Sequence, residues 1–385
     1  VKDPSSSSRG AAEAKGDAPS PAGTADDRSD AFTEFILRER AFLVVLGVLF
    51  FITGAFYENA EVARWLGFLL AGYAAVANDS IQTIGTFIAS NVKVPWWVLW
   101  MFIGGLFVVT VGYSWWSNGG DVSYGRLQSK GFAETPTEFT FLQVAAPIFL
   151  LILTRLRMPV STTFLLLSSF AADADTIGGV LLKSVSGYGL AFVSSAVVWM
   201  VAAPWISRMM QGEAGPWWRP IQWVTSGFLW VVWLMQDAAN IAVYLPRSLD
   251  PIEFTAFAGS IFCGLGLLFF MRGERVQEVV NEKSSVVDVR AATLIDLLYG
   301  AILYYFKVVS AVPMSTTWVF IGLLGGRELA MARNASGDRS VPGALRMLAK
   351  DLTLVGIGLL VSLALAIAVN PSLAPFGLFD GTVLP

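Results

Sequence analysis

The 385-residue sequence contains no histidine, a single cysteine and few charges, with only 14% of its residues Asp, Glu, Lys or Arg. Without histidine it lacks the commonest general base and the commonest metal ligand. With Cys263 alone, no internal disulfide can form, and its place in an apolar run makes a buried structural thiol the expectation. The net charge of −3 belongs to no large patch of one sign, so nothing suggests a nucleic-acid partner. Also missing are the alternating segments of about ten residues that build membrane β-barrels.

What is present is apolar: 55% of the residues are hydrophobic and the mean hydropathy is +0.61. Apolar runs long enough to cross about 30 Å of hydrocarbon as helices recur along the chain, which predicts an all-α polytopic membrane protein in contact with membrane lipid. Residues Val1 to about Ser29 are rich in Ser, Ala, Gly, Asp and Pro and are expected to be disordered. Asp30 to Phe42 is mildly amphipathic and reads as an interfacial approach, so 1–40 is a tail and 41–58 a first transmembrane helix. Glu58, Asn59 and Glu61 follow that run in place of a small-residue cleavage site, which reads against a signal peptide.

Ten further apolar segments fall near 64–90, 95–116, 139–156, 159–172, 178–206, 221–247, 254–271, 291–309, 313–331 and 349–370. They divide into two fives with the same internal order: a polar-interrupted segment, two plainer ones, a segment opening on Ser-Thr-Thr, and a closing span. Asp79 precedes Ser161 by 82 positions, and Asp237 precedes Ser315 by 78. An odd number of spans per unit inverts the second unit relative to the first, giving two inverted-topology repeats with broken helices, 64–210 and 217–370, plus the extra N-terminal helix and a 371–385 tail. With the N-terminus cytoplasmic, Lys93, Arg155, Arg157, Arg208, Arg219, Arg272, Arg275, Lys283, Arg290, Arg327, Arg333, Arg339, Arg346 and Lys350 fall on inside connections. The outside connections keep only Arg64, Arg126, Lys130, Lys183, Arg247 and Lys307, and the C-terminus lies outside.

Four polar clusters interrupt these segments. Ala75 to Asn91 carries Asn78, Asp79, Gln82, Thr83 and Thr86; Trp233 to Arg247 carries Gln236, Asp237 and Asn240. A carboxylate at membrane depth costs about 2.5–3.5 kcal/mol on insertion scales, so Asp79 and Asp237 are expected to face a cavity and bind something positive. The third and fourth clusters are PVSTT, ending Ser161, Thr162, Thr163, and PMSTT, ending Ser315, Thr316, Thr317. A proline followed by hydroxyls is the sequence of a helix start, where N–H groups and the dipole favour an oxyanion. Back-bonding of Ser and Thr to their own helix, or simple capping, is the plainer reading of each cluster taken singly. Duplication at near-fixed spacing from a buried Asp is what raises them to a candidate pair of half-sites.

At these residues the chain resembles the inorganic phosphate transporter (PiT) family, whose hallmark is a duplicated GANDVAN-type motif with a PVSTTH-type motif downstream in each half. Ala77 to Thr86 matches the first hallmark and Gln236 to Asn240 the second, while the segment Met271 to Lys307 is similar to the family's second-half connector; the likeness spans about residues 64–370. The resemblance implies a homodimeric carrier moving phosphate with sodium or protons by alternating access around a midplane site. Carried over by position, Asn78, Asp79, Gln82, Gln236, Asp237 and Asn240 become cation ligands or their supports, and Ser161, Thr162, Thr163, Ser315, Thr316 and Thr317 the phosphate ligands. The chain departs from the family where Phe164 and Trp318 replace both motif histidines, where Gln82 and Gln236 replace Asn, and where Val243-Tyr244 stands for Gly-Pro. The reading is therefore a cation-coupled phosphate transporter of an inner or plasma membrane, not an enzyme. Its rivals are a carrier of sulfate or another tetrahedral oxyanion, a transport-dead receptor or scaffold, and a membrane-embedded enzyme acting on phosphorylated lipid.

Overall fold

A computed structural model describes residues 25–128, 132–156, 158–202, 205, 208, 209, 211–271, 288–309, 313–334 and 340–373, with the side chains of 25–38, 80–82 and 372 outside that description. The chain divides into two compact units, Val1–Val48 and Leu49–Pro385. Among the described residues there is no strand.

The helices are α1 (Ala25–Phe56), α2 (Ala60–Thr83), α3 (Gly85–Ser90), α4 (Trp96–Ser117), α5 (Phe141–Arg155), α6 (Ala174–Val201), α7 (Trp218–Ala242), α8 (Pro251–Phe270), α9 (Val289–Val309), α10 (Thr316–Arg333) and α11 (Val341–Val369). Of these, α1, α2, α4, α6, α8, α9 and α11 are long and apolar enough to cross a membrane. The chain is a multi-pass membrane protein. α1 begins at Ala25, ahead of the apolar run, so the stretch read as an interfacial approach continues into the first span as one helix. Residues 1–24, expected to be disordered, lie outside the described residues.

Local sequence accounts for the helix starts. Asp250 accepts hydrogen bonds from Ile252 and Glu253 N while Glu253 reaches back to Asp250 N, a reciprocal cap ahead of α8. Thr140 and Gln143 do the same for α5, and Asp173 caps α6 through Thr176 N. The segment 159–172 differs from its expected span: it forms a short wide turn, Thr163–Leu167, and a tight one, Ser168–Phe170, while its counterpart continues as the 18-residue α10. Ser169 Oγ, bonded back to Leu165 O at 3.0 Å, offers the backbone a local alternative to continuing the helix.

α6 packs along α10, α9 along α7, α5 along α2, and α8 along α4. The α6–α10 approach is very close. A Cβ on Gly326 would lie 2.1 Å from Phe192 O, and one on Gly322 2.4 Å from Tyr188 O, so the small-x-x-x-small spacing of α10 lets the two backbones touch. Cys263 is exposed, which corrects the expectation of a buried thiol. α8 buries Phe257, Ala258, Ile261, Leu265 and Phe269, and Cys263 falls off that face.

Candidate functional site

Both helix interruptions fall one turn beyond a carboxylate. α2 stops at Thr83, four residues after Asp79, before restarting as α3; α7 stops at Ala242, five after Asp237, and turns through Leu245 N to Ala242 O at 2.9 Å. Pro246 and the buried Tyr244, whose hydroxyl donates to Gln143 O at 2.8 Å, hold the second break without the Gly-Pro pair.

The two Ser-Thr-Thr clusters are buried turns that meet. Ser161 Oγ accepts from Phe164 N at 3.1 Å and Ser315 Oγ from Trp318 N at 3.4 Å, so each serine caps the three residues after it. Thr163 Oγ1 donates to Met314 O at 3.1 Å, and Thr317 Oγ1 donates to Val160 O at 3.3 Å. Met314 precedes Ser315 as Val160 precedes Ser161, so this is one contact made in both directions. Phe164 and Trp318 pair at 6.0 Å between ring centroids.

The carboxylates sit against these turns and away from the protein surface: Asp79 is 1% exposed and Asp237 4%. Asp79 accepts from Thr162 Oγ1 at 2.7 and 2.9 Å and from Asn78 Nδ2 at 2.8 Å. Asn78 also reaches Val160 O at 3.0 Å and is held through its own oxygen by Thr154 at 3.3 Å. On the other side Asp237 Oδ1 accepts from Asn240 Nδ2 at 2.6 Å and from Thr163 Oγ1 at 3.3 Å, and Asn240 Nδ2 also donates to Thr163 at 3.2 Å. Thr316 faces Asp237 as well and accepts from Trp233 Nε1 at 3.3 Å. The two carboxylates lie within electrostatic range of each other.

Among the described residues, three buried oxygens of α7 have no hydrogen-bond partner: Gln236 Oε1, Asp237 Oδ2 and Asn240 Oδ1. An unsatisfied buried acceptor costs about 1–3 kcal/mol, and these three, within five residues of one helix, are hard oxygen donors of the kind a small cation takes. Gln236 is fixed through its amide nitrogen, which donates to Leu303 O at 2.9 Å. A cavity lined by Gly72, Ala75, Trp230, Trp233 and Ile261 has Asp237 in its wall. The structure thus brings together Asn78, Asp79, Gln236, Asp237, Asn240 and the six Ser-Thr-Thr residues; the side chain of Gln82 lies outside the described residues.

Several polar residues at or near this centre were not legible as such. Ser184 Oγ accepts from Ser315 N at 2.8 Å. Asp296 is 1% exposed on α9 and accepts from Thr86 at 2.8 Å and from Ser226, tying α3, α7 and α9. Arg126, expected on an outside connection, is 1% exposed and donates from Nε to Met235 O at 2.7 Å, beside Gln236 and Asp237. Burial lowers its pKa to about 10, with Asp237 acting in the opposite direction, so it remains a cation at neutral pH.

No protein-family model matches the chain, and no curated protein matches it. Among solved structures the fold is similar to one described as "The sodium-dependent phosphate transporter". The TM-score is 0.53 at 18% sequence identity, covering 80% of this chain and 96% of that one. The chain has a transporter-like fold. At that identity the likeness concerns the arrangement of helices and leaves the chemistry to be argued from the residues.

Proposed function

We propose that the chain is a secondary active transporter of inorganic phosphate, coupled to sodium or protons, that works by alternating access around the buried Ser-Thr-Thr turns. The observation that carries this is the reciprocal bond between the turns, Thr163 to Met314 O and Thr317 to Val160 O, with Asp79 on Thr162 of the first turn and Asp237 between Thr163 of the first and Thr316 of the second. A two-fold relation between units 64–210 and 217–370 generates such a pair, and the order of elements supports inverted repeats. Each unit runs broken helix, two helices, Ser-Thr-Thr segment and closing helix.

In this reading Ser161, Thr162, Thr163, Ser315, Thr316 and Thr317 bind the anion, while Asn78, Asp79, Gln82, Gln236, Asp237 and Asn240 hold or support the cations. The partnerless oxygens of Gln236, Asp237 and Asn240 support that placement most directly. Two buried carboxylates in range of one another repel, and an inbound cation or proton relieves them. Coupling follows: two carboxylates against one guanidinium leave the anion pocket beside net negative charge until the cations arrive, so empty and fully loaded states are favoured over half-loaded ones. Phosphate that keeps a proton can donate to Asp79 or Asp237, whereas sulfate only accepts, which favours phosphate. The name of the structurally similar protein agrees with sodium and phosphate. A homodimer in an inner or plasma membrane completes the proposal.

The test is labelled-phosphate uptake into proteoliposomes under an imposed sodium gradient, then a pH gradient, with sulfate as competitor. Gradient-driven phosphate uptake that resists sulfate is expected. Uptake of sulfate in preference would move the substrate to the other oxyanion, and no uptake of either under any gradient would remove the transporter reading.

A further inference from the structure

The connection between α4 and α5 begins as a tightly built loop. Gly119, Gly120, Tyr124 and Gly125 all have positive φ, at 60, 96, 57 and 76°, and for Tyr124 that is a strained conformation. Asp121 accepts from Ser123 N at 2.7 Å and Gly125 N at 2.6 Å, Ser114 donates to Asp121 O at 2.8 Å, and Tyr124 Oη donates to Thr110 O at 2.6 Å. Leu249 N donates to Gly120 O at 3.0 Å, and a Cβ at Gly120 would lie 2.4 Å from Ser248 Oγ, so this loop is locked to the segment after α7. The product of this scaffold is the placement of one buried guanidinium, Arg126, beside Met235 and in electrostatic range of Asp237.

Two more cations converge there from other elements. Lys183 of α6, half-buried and next in sequence to Ser184, lies in electrostatic range of Arg126; Ser184 itself holds Ser315 N. Lys307 of α9 stands 5.5 Å over the ring of Tyr124, two residues before Arg126. Arg126 and Lys183 oppose one another as like charges, and an anion between them reverses that cost. The planar, always charged fork of Arg matches an oxyanion better than any other side chain.

We propose that Arg126, backed by Lys183 and Lys307, recognises the oxyanion as it reaches the Ser-Thr-Thr turns. This supplies the positive charge that a histidine-free site otherwise takes only from coupling ions. The inference rests on the oxyanion-carrier reading, and its test separates the two. The full chain in detergent is melted against increasing phosphate, and separately sulfate, at constant sodium and ionic strength, and then against sodium chloride alone. Arg126→Gln should need at least about ten times more phosphate than the wild type for the same rise in melting temperature, while its sodium response is kept or strengthened, because Arg126 opposes a cation at Asp237. Lys183→Gln should need a few times more, and Arg126→Lys should fall between wild type and Arg126→Gln because it keeps charge but loses the fork. If Arg126→Gln does not fold, the Arg126→Lys and Lys183→Gln titrations decide alone, and wild-type anion dependence in both overturns the proposal. It is equally overturned if Arg126→Gln loses its sodium and phosphate responses together, the mark of a scaffold residue, or if neither anion shifts the wild type. An Arg126-dependent phosphate shift in a protein without uptake would sink the transporter reading and leave this site standing.

Discussion

Asp237→Asn separates a cation ligand from a structural carboxylate by how its effect on stability depends on sodium. The change conserves shape and leaves an oxygen to accept from Asn240 Nδ2, whose bond to Asp237 Oδ1 is 2.6 Å long. Among the described residues the other oxygen, Oδ2, has no hydrogen-bond partner, and neither do Gln236 Oε1 and Asn240 Oδ1, so the change breaks no hydrogen bond to Oδ2. Without sodium the variant should be about as stable as the wild type, because relief of the repulsion between Asp79 and Asp237 offsets the lost attraction between Asp237 and Arg126. With sodium the variant falls behind. A unit charge about 4 Å from a cation at an effective permittivity of about 20 is worth ~4 kcal/mol; allowing half of that to be cancelled by desolvation leaves ~2 kcal/mol, about thirty-fold in sodium affinity. Sodium at a hundred times its Kd stabilises the wild type by about 2.7 kcal/mol, most of which the variant should lack. The assay is thermal melting in detergent from zero to high sodium chloride, with choline chloride holding ionic strength. A wild-type sodium half-point in the variant, or an equal fall in stability with and without sodium, would refute the reasoning.

Three further outcomes follow from other parts of the fold. Thr163→Val should cost more than Thr317→Val, because Thr163 also serves Asp237 and Asn240 whereas Thr317 loses only its bond to Val160 O. About 2 against ~0.6 kcal/mol is expected, and reversed costs in denaturant unfolding would count against the paired-turn geometry. Gly326→Ala must push α10 off α6 at Phe192 O, with a loss of about 1–3 kcal/mol and a drop in uptake; a wild-type melting temperature would show that the helices are not so closely packed. Asp288, outside the spans, is held below the usual carboxylate range first by its hydrogen bond from Arg290, which also donates to Met209 O and Gly212 O. Its contribution is therefore complete above the unfolded pKa of ~3.9 and lost as pH falls below it through the folded value. Being 36% exposed, it is worth less than about 1 kcal/mol; Asp288→Asn should flatten the acid limb of stability below pH ~4, and an unchanged limb would contradict this.

Hydropathy made the membrane helices legible because burial in lipid needs long apolar runs, and the repeated Asp and Ser-Thr-Thr letters marked the residues that the structure gathers at one centre. What could not be read depends on contacts between distant parts of the chain. Arg126 reads in sequence only as a charge on a connection, and its burial depends on the positive-φ loop and on the Leu249 bond that holds that loop. Ser161 and Ser315 look alike in sequence, yet only the second opens a long helix, because Ser168 to Phe170 tightens the chain after the first. Asp296 has no counterpart motif and becomes notable only when Thr86 and Ser226, 210 and 70 positions away, meet it. Cys263 was misplaced because an apolar run on a membrane helix has an outward face as apolar as its core.

The most direct measurement is an experimental structure of the protein with phosphate and sodium bound. The account predicts the anion between Ser161–Thr163 and Ser315–Thr317, with a cation on the oxygens of Gln236, Asp237 and Asn240. An anion bound elsewhere, with the two turns still closed on each other by the Thr163 and Thr317 bonds and those three oxygens still bare, would contradict it.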